Sequence, residues 1–282
     1  MLNYELGGRW AVLLIHNSAF RIHNSNGVVV TFLGTGTSQG VPVIGCHCDV
    51  CRSVDFRDKR LRVSVHLQVQ GRSIVIDSGP DFRQQVLRER VDRLDALVFT
   101  HEHKDHTGGM DDIRAYNFKQ QQDMPVYAEP RVLEQLKREY AYIFADQKYP
   151  GVPRVQTVPI LSDTDAFEVE GIEFQPIRAL HYKLPVLGFR VGHFSYVTDA
   201  NHLSTEAREQ LRGSDVLVLN ALRHEPHISH FSLSEALEVI EDVQPKRAYL
   251  THISHLLGKH REVEATLPAH VRLAYDGLRL EL

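Results

Sequence analysis

Cysteine is scarce in this chain: its 282 residues include three, all within Cys46-His47-Cys48-Asp49-Val50-Cys51. Cysteines this few and this close cannot build a disulfide framework, and their crowding is typical of metal ligands in a reducing compartment. Long apolar runs are also missing. The longest run near the N-terminus, residues 11–15, is too short for a membrane span or for the core of a signal peptide. We therefore expect a cytoplasmic protein that does not enter a membrane.

Neither sign of charge is in excess, since 32 Lys and Arg face 36 Asp and Glu, for a net charge of −4 with histidine neutral. This near-neutral balance argues against a non-specific nucleic-acid binder, which would need an excess of Lys and Arg. The hydrophobic fraction of 43% and the charged fraction of 24% are ordinary for a globular protein, which excludes a disordered or collagen-like chain. The unusual count is histidine, with 17 residues.

Short apolar, β-branched runs alternate with amphipathic stretches along the chain, a pattern that favours a layered α/β protein. Strands are predicted at 28–33, 63–69, 73–76, 96–99, 172–177, 194–197, 216–219 and 247–250. Helices are predicted at 130–140, 203–211 and 232–243, the last with the capping-box spacing of Ser232 and Glu235. We expect residues 28–282 to form one domain and residues 1–27 to be an N-terminal extension, whose order the sequence leaves open.

The densest group of metal-ligand side chains follows the predicted strand 96–99, in Thr100-His101-Glu102-His103-Lys104-Asp105-His106. Residues two apart on an extended segment point the same way, so His101 and His103 can bind one ion together. Asp105 and His106 follow in the turn and can face a second ion. Imidazole and carboxylate groups suit zinc, manganese or iron rather than a calcium site. Four ligand-type residues within six positions make a solvated loop the weaker interpretation.

This H-x-H-x-D-H pattern after a strand resembles the signature of the metallo-β-lactamase superfamily. The resemblance implies an α/β fold, the αββα four-layer sandwich, with a dinuclear metal site at one sheet edge. It also implies further ligands at later strand ends, and His181, Asp199 and His252 stand in the right order. The implied assignment places His101, His103 and His181 on one metal and Asp105, His106 and His252 on the other, with Asp199 bridging. Asp77 matches the family's earlier strand-end Asp, expected to orient a ligand.

The cysteine cluster indicates which branch of the superfamily the sequence resembles. A closed structural zinc site takes four ligands, and Cys46, Cys48 and Cys51 supply three. The fourth is either His47, in the same loop, or His255, three residues after His252. Together with the glycine-rich segment 31–42, the zinc loop at 45–52 resembles the PhnP branch of the superfamily, in which three Cys and a downstream His bind a zinc remote from the active site. PqqB-type proteins share a related loop.

Residues 221–232 hold three histidines at three-residue spacing, His224, His227 and His230. In the phosphodiesterase branches, a His followed by a small hydroxyl residue at this point protonates the leaving oxygen. His230-Phe231-Ser232 fits that role best, and His227 is the runner-up. Arg223 and His227 are predicted to contact the substrate phosphate. His224 either contacts the substrate or faces solvent.

The resulting hypothesis is a metal-dependent hydrolase of a small phosphodiester, with cyclic ribose phosphates among the candidate substrates. Its predicted cofactors are two divalent ions, zinc or manganese, that activate a hydroxide, and one structural zinc. The predicted catalytic residues are His230, Asp105 and Asp77. The alternatives are a tRNA 3′-processing endonuclease and a non-catalytic, PqqB-like carrier for cofactor biosynthesis. The near-neutral charge favours a small-molecule substrate over a long nucleic acid, and the resemblance suggests a homodimer.

Overall fold

The computed structural model describes residues 27–147 and 149–282, so the predicted N-terminal extension lies outside the described residues except for Gly27. The strands are β1 Val28–Gly34, β2 Ser64–Val69, β3 Arg72–Ile76, β4 Ala96–Val98, β5 Met124–Ala128, β6 Val155–Pro159, β7 Phe167–Val169, β8 Ile172–His181, β9 Leu184–Val191, β10 Phe194–Val197, β11 His202–Leu203, β12 Val216–Asn220, β13 Arg247–Thr251, β14 Val271–Leu273 and β15 Arg279–Glu281.

Helices of one to three turns cover these strands. They are α1 Asp49–Arg52, α2 Phe82–Arg88, α3 Lys104–Thr107, α4 Arg114–Gln120, α5 Pro130–Glu139, α6 Ala141–Phe144, α7 Thr205–Leu211, α8 Leu233–Val243 and α9 His260–Glu264. Helix α8 begins as predicted, because Ser232 and Glu235 form a complete capping box. Within the two described ranges, no helix is both long and apolar enough to cross a membrane.

Two mixed sheets form the centre of the molecule. The first has the order β15-β1-β2-β3-β4-β5-β6, and the second has the order β11-β8-β9-β10-β12-β13-β14, with β7 paired to β8. In the first sheet β3 to β6 run parallel, and in the second β10, β12, β13 and β14 run parallel. The carboxyl ends of each parallel set therefore lie at one edge of its sheet.

Three apolar layers hold the sheets and helices together. One layer fills the space between the sheets, where Phe32 and Leu67 of the first meet Phe189 and Phe194 of the second. A second layer packs α7, α8 and α9 on the outer face of the second sheet, and a third packs α2, α4, α5 and α6 on the first. This αββα arrangement confirms the predicted fold class.

Candidate dinuclear metal centre and its surroundings

The predicted site residues sit at strand ends in unusual backbone conformations. Asp77 follows β3, Asp199 follows the residue after β10, and His252 follows β13, with φ of 63°, 55° and 54°. The left-handed region is uncommon for residues other than glycine, and such outliers concentrate at functional sites. All three residues are buried. The backbone thus turns sharply at each strand end and keeps these polar side chains at the sheet edge.

His101, His103 and His181 form the first ligand set, with one donor atom from each lying within 4.8 Å of the others. The outer ring nitrogens of two of them are already engaged: His101 Nδ1 lies 3.0 Å from Thr100 Oγ1 and His181 Nδ1 lies 2.8 Å from Ser229 O. Within the described part of the chain, the buried His101 Nε2 has no hydrogen-bond partner. A ring held by one nitrogen while the other stays free is the arrangement expected of a metal ligand.

Asp105, His106, Asp199 and His252 form the second ligand set. His106 Nε2 lies 3.2 Å from Asp199 Oδ2 and 3.4 Å from Asp105 Oδ2, and His252 Nε2 lies 3.1 Å from Asp199 Oδ1. Two ligands bound tetrahedrally at about 2.0–2.1 Å from one ion are separated by about 3.4 Å. These spacings fit a divalent ion. In the described ranges, the buried Nε2 atoms of His106 and His252 also lack hydrogen-bond partners.

Asp77 lies behind the second set, as predicted, and is completely buried. Its Oδ2 accepts a hydrogen bond from His106 Nδ1 at 2.7 Å, and its two carboxylate oxygens accept bonds from the backbone N–H and the hydroxyl of Thr100 at 2.9 Å each. An ionised carboxylate can only accept, so His106 carries a proton on Nδ1, and Nε2 is the nitrogen that can bind a metal. Burial opposes a charged His106, but the carboxylates of Asp199, Asp105 and Asp77 outweigh it and raise the pKa of His106 well above its ordinary value, so Nε2 must lose a proton when a metal binds. Thr100 was not predicted as a site residue, although it directly precedes the histidine motif.

Charge in this centre is balanced between carboxylates and imidazoles. Burial opposes ionisation of Asp199, but His252 and His106 outweigh it and hold the pKa of Asp199 well below its ordinary value. Burial likewise disfavours a charged His252, yet the Asp199 carboxylate raises the pKa of His252 to about 9. Burial lowers the pKa of His101 well below its ordinary value, which leaves a neutral ring. The Asp199 carboxylate and the neutral His101 ring are already in the protonation states that metal binding needs, whereas His252 must lose a proton when a metal binds.

His230 lies between the two ligand sets. Its Nε2 is 3.3 Å from Asp199 Oδ1, and its ring centroid is 4.5 Å from that of His181. His227 lies directly behind it, with 3.2 Å between the two Nδ1 atoms and the Ser229 hydroxyl 3.0 Å from His230 Nδ1. Burial lowers the pKa of His230 to about 4, and Asp199 offsets part of that effect. The geometry also allows His230 to act with His181 and Asp199 as a ligand group.

A cavity of about 510 Å³ lies elsewhere in the molecule, but a smaller one, of about 250 Å³, adjoins the site. Its lining residues are Thr37, Ser38, Gln39, Leu222, Arg223, His227, His230, Ser254, His255 and Leu256. Arg223 donates to the carbonyls of Glu225 and Pro226 and so braces its own loop, while its side chain still borders the cavity. His224 is exposed. The hydroxyls of the 37–39 segment were not predicted to line this space.

The three cysteines surround one histidine nitrogen. His255 Nδ1 lies 3.4 Å from Cys46 Sγ, 3.3 Å from Cys48 Sγ and 3.6 Å from Cys51 Sγ. Tetrahedral zinc with sulfur at about 2.3 Å and nitrogen at about 2.0–2.1 Å separates such atoms by about 3.6 Å. These spacings therefore fit a Cys3His zinc site. His47, the alternative fourth ligand, is exposed and is not part of this group.

The thiols of this group differ in acidity. The Cys51 backbone N–H and then His255 lower the pKa of Cys48 to about 6, whereas burial raises the pKa of Cys51 to about 11. Zinc binds the thiolate form, so Cys48 is ready to bind at neutral pH and Cys51 must lose its proton on binding.

A sequence model of the Beta-lactamase superfamily domain matches residues 72–253. That segment contains all seven residues of the two ligand sets, and it spans well over half of the chain. The chain therefore belongs to the β-lactamase superfamily, in its metal-dependent hydrolase form. Within it the chain is PhnP-like: it shares 40% sequence identity and a TM-score of 0.85 with a solved diphosphatase of the PhnP family, covering 91% of this chain and 97% of that one.

Two curated relatives carry other names. An octanoyltransferase of Porphyromonas gingivalis is 40% identical over 248 residues, which make up 87% of this chain but 50% of that protein. The chain thus spans half the length of this relative. A coenzyme PQQ synthesis protein B of Methylococcus capsulatus is 23% identical over 313 residues, covering 90% of this chain and 100% of that protein.

Proposed function

We propose that this protein hydrolyses a small phosphodiester at the dinuclear centre described above. The observation that carries the proposal is the convergence of seven ligand side chains with His230 beside them, at the rim of a cavity. His101, His103 and His181 would hold one divalent ion and Asp105, His106 and His252 the other, with Asp199 between them. Such ions neutralise charge on phosphoryl oxygens and supply a hydroxide nucleophile at neutral pH.

His230 is the proposed general acid. Its Nε2 lies 3.3 Å from Asp199 Oδ1, so it would border a phosphodiester bound between the two ligand sets. The unligated ring is neutral at pH 7, because burial lowers its pKa to about 4. An anionic phosphodiester bound in the adjoining cavity would favour the charged ring and raise that pKa. Protonation of the leaving oxygen by a positioned histidine contributes about 10²–10⁴-fold to a rate.

The surroundings favour a small substrate. The adjoining cavity has a volume of about 250 Å³ and is lined by hydroxyl, imidazole and guanidinium groups, which suit a sugar phosphate. The chain's net charge of −4 offers little attraction for a long polyanion. These features support a small phosphodiester over transfer RNA as substrate.

A diphosphate is the second candidate substrate, because the PhnP-family relative at 40% identity is a diphosphatase. The same ligand sets and the same proton donor would serve a phosphoanhydride, whose leaving group is a phosphate. The two candidates differ in how much they need His230, because an alkoxide requires a proton to leave whereas a phosphate does not.

The test uses purified, metal-replete protein and a panel of substrates with different leaving groups. The panel contains ribose cyclic phosphates, bis-p-nitrophenyl phosphate, a nucleoside diphosphate and, because of the name of the P. gingivalis relative, an octanoyl thioester. We expect turnover of the phosphodiesters and loss of that turnover in Asp105→Ala. Turnover of the thioester alone, or equal activity in Asp105→Ala, would overturn the proposal.

The variant His230→Ala sharpens the same test. This substitution should slow the hydrolysis of ribose cyclic phosphates about 10²–10⁴-fold while leaving the metal content unchanged. It should affect bis-p-nitrophenyl phosphate much less, because p-nitrophenolate leaves without a proton. Equal losses on both substrates would refute the role of His230 as general acid.

A further inference from the structure

A short hydrogen-bonded ladder crosses the loops behind the active site. Phe231 N donates to Ala200 O at 2.7 Å, and Leu222 N donates to Phe231 O at 2.9 Å. Leu222 O then accepts two bonds from Ser254, one from its backbone N–H at 3.0 Å and one from its hydroxyl at 2.8 Å. We call these four residues the loop ladder. It ties three separate chain segments to one another.

Each end of the loop ladder adjoins a functional group. Ala200 follows Asp199, and Phe231 follows His230. Ser254 stands next to His255, the fourth member of the Cys3His group. The hydrogen bonds of the loop ladder, together with the peptide bonds to these neighbouring residues, therefore connect the cysteine-rich group to the proposed general acid and to the proposed bridging carboxylate.

The loop that carries His230 depends on such bonds for its position. Residues 223–231 contain no helix or strand, and His224, Glu225 and Pro226 are exposed. Ser254 is 7% exposed, and its hydroxyl also accepts a bond from Leu256 N at 3.2 Å, so its position is well defined. A loop without regular structure takes its geometry from the buried groups that its backbone contacts.

The cavity beside the site joins the same two segments. Ser254, His255 and Leu256 border it together with His227 and His230. A metal bound by the cysteines and His255 would thus fix a segment that also lines the cavity, although none of these four residues belongs to the two catalytic ligand sets.

We propose that Ser254 is a positioning residue through which the Cys3His centre sets the placement of His230. Metal binding at the cysteines fixes His255, Ser254 then holds Leu222 O, and the loop ladder holds His230 against Asp199. The kinetic part of this proposal rests on the proposed function. The structural part, that the cysteine-rich centre orders the His230 loop, is independent of the proposed function.

The kinetic experiment compares Ser254→Ala, Ser254→Thr and the matched control Ser162→Ala, whose half-buried serine accepts a hydrogen bond from Asp165 N at 2.9 Å. We expect Ser254→Ala to lower kcat for a ribose cyclic phosphate about tenfold, because a displacement of about 1 Å can cost up to 10²-fold. The metal content should not change, and bis-p-nitrophenyl phosphate should be cleaved nearly as fast as by the wild type. Ser254→Thr, which keeps the hydroxyl, should restore kcat, and Ser162→Ala should match the wild type.

A double variant separates positioning from a general loss of stability. If Ser254 acts through His230, adding Ser254→Ala to His230→Ala should lower kcat no further. Multiplicative losses in the double variant, or equal losses on both substrates, would overturn the proposal.

Hydrogen exchange tests the structural part without any turnover. Amide exchange in a peptide covering 221–232 should rise about tenfold in Ser254→Ala and in zinc-depleted His255→Ala, while a peptide covering 64–76 stays unchanged. Unchanged exchange at 221–232 in both variants would overturn the proposal. If the wild type cleaves no phosphodiester, the proposed function fails, and the exchange comparison still decides the role of Ser254.

Discussion

Asp77→Asn should weaken metal binding at the second ligand set by reversing the tautomer of His106. In the wild type Asp77 Oδ2 accepts from His106 Nδ1 at 2.7 Å, which keeps a proton on Nδ1 and makes Nε2 the nitrogen that can give up its proton to bind a metal. An Asn amide that keeps its oxygen toward the Thr100 N–H must present its NH2 to His106. The ring then accepts at Nδ1 and carries its proton on Nε2, where the metal would bind.

The expected loss of metal affinity follows from the position of Asp77 as a hydrogen-bond partner of a metal ligand. Loss of such a partner costs about 10–100-fold in metal affinity. We expect a loss at or above the upper end of that range, because His106 and Asp77 are both completely buried and no solvent can replace the lost carboxylate. The assay is competition of the protein with a chelator for manganese or zinc, followed by metal analysis of the dialysed protein.

Asp95→Asn is the matched control. Asp95 is also buried, at 2% exposure, and also accepts a backbone N–H, from Ser73 at 2.8 Å, but it belongs to neither ligand set. It should change stability and leave metal affinity at the wild-type level. Equal metal affinity in Asp77→Asn and the wild type would refute the claim that Asp77 orients His106 for metal binding.

Three further predictions concern other groups. Cys51→Ser should remove about one metal per chain, detected by metal analysis, because a closed site needs all four ligands. Metal binding at pH 7 should release protons, since His252 with a pKa of about 9 must lose one; calorimetry in buffers of different ionisation enthalpy detects this, and affinity should rise with pH. His66→Gln should flatten the loss of stability on acidification: burial lowers the pKa of His66 from 6.5 to about 4, so the wild type loses up to about 3 kcal/mol as pH falls through that interval. Denaturant titrations at several pH values measure it.

The sequence predicts those strands that are continuous apolar runs. Strand β10 spans the predicted residues 194–197, and β12 extends the predicted 216–219 by one residue. Strand β9 is not predicted, because Pro185 and Gly188 interrupt its pattern. Only the fold shows why Gly188 is there: a Cβ at this position would lie 2.7 Å from Val197 Cγ2 and 2.8 Å from Tyr196 O. Strand β5, with Pro125, is missed for the same reason.

The candidate ligands of the dinuclear centre are predictable because each lies in a short motif at the end of an apolar run. The sequence does not predict the choice of His255 over His47. His255 lies 204 residues from Cys51 in the sequence, and the fold brings the two side chains together. Contacts such as that of Asp77 with Thr100, 23 residues apart, depend equally on strand pairing. Local patterns thus indicate which residues have ligand chemistry, whereas tertiary contacts decide which of them act together.

The most direct test of the central claim is a metal titration of turnover. Protein depleted of metal at the two ligand sets, with any metal at the Cys3His group retained, is titrated with manganese while cleavage of a ribose cyclic phosphate is followed. The account predicts that activity rises with added metal and reaches its plateau at about two equivalents per chain. Loading to about two equivalents without any phosphodiester cleavage would contradict it, as would full activity in the depleted protein.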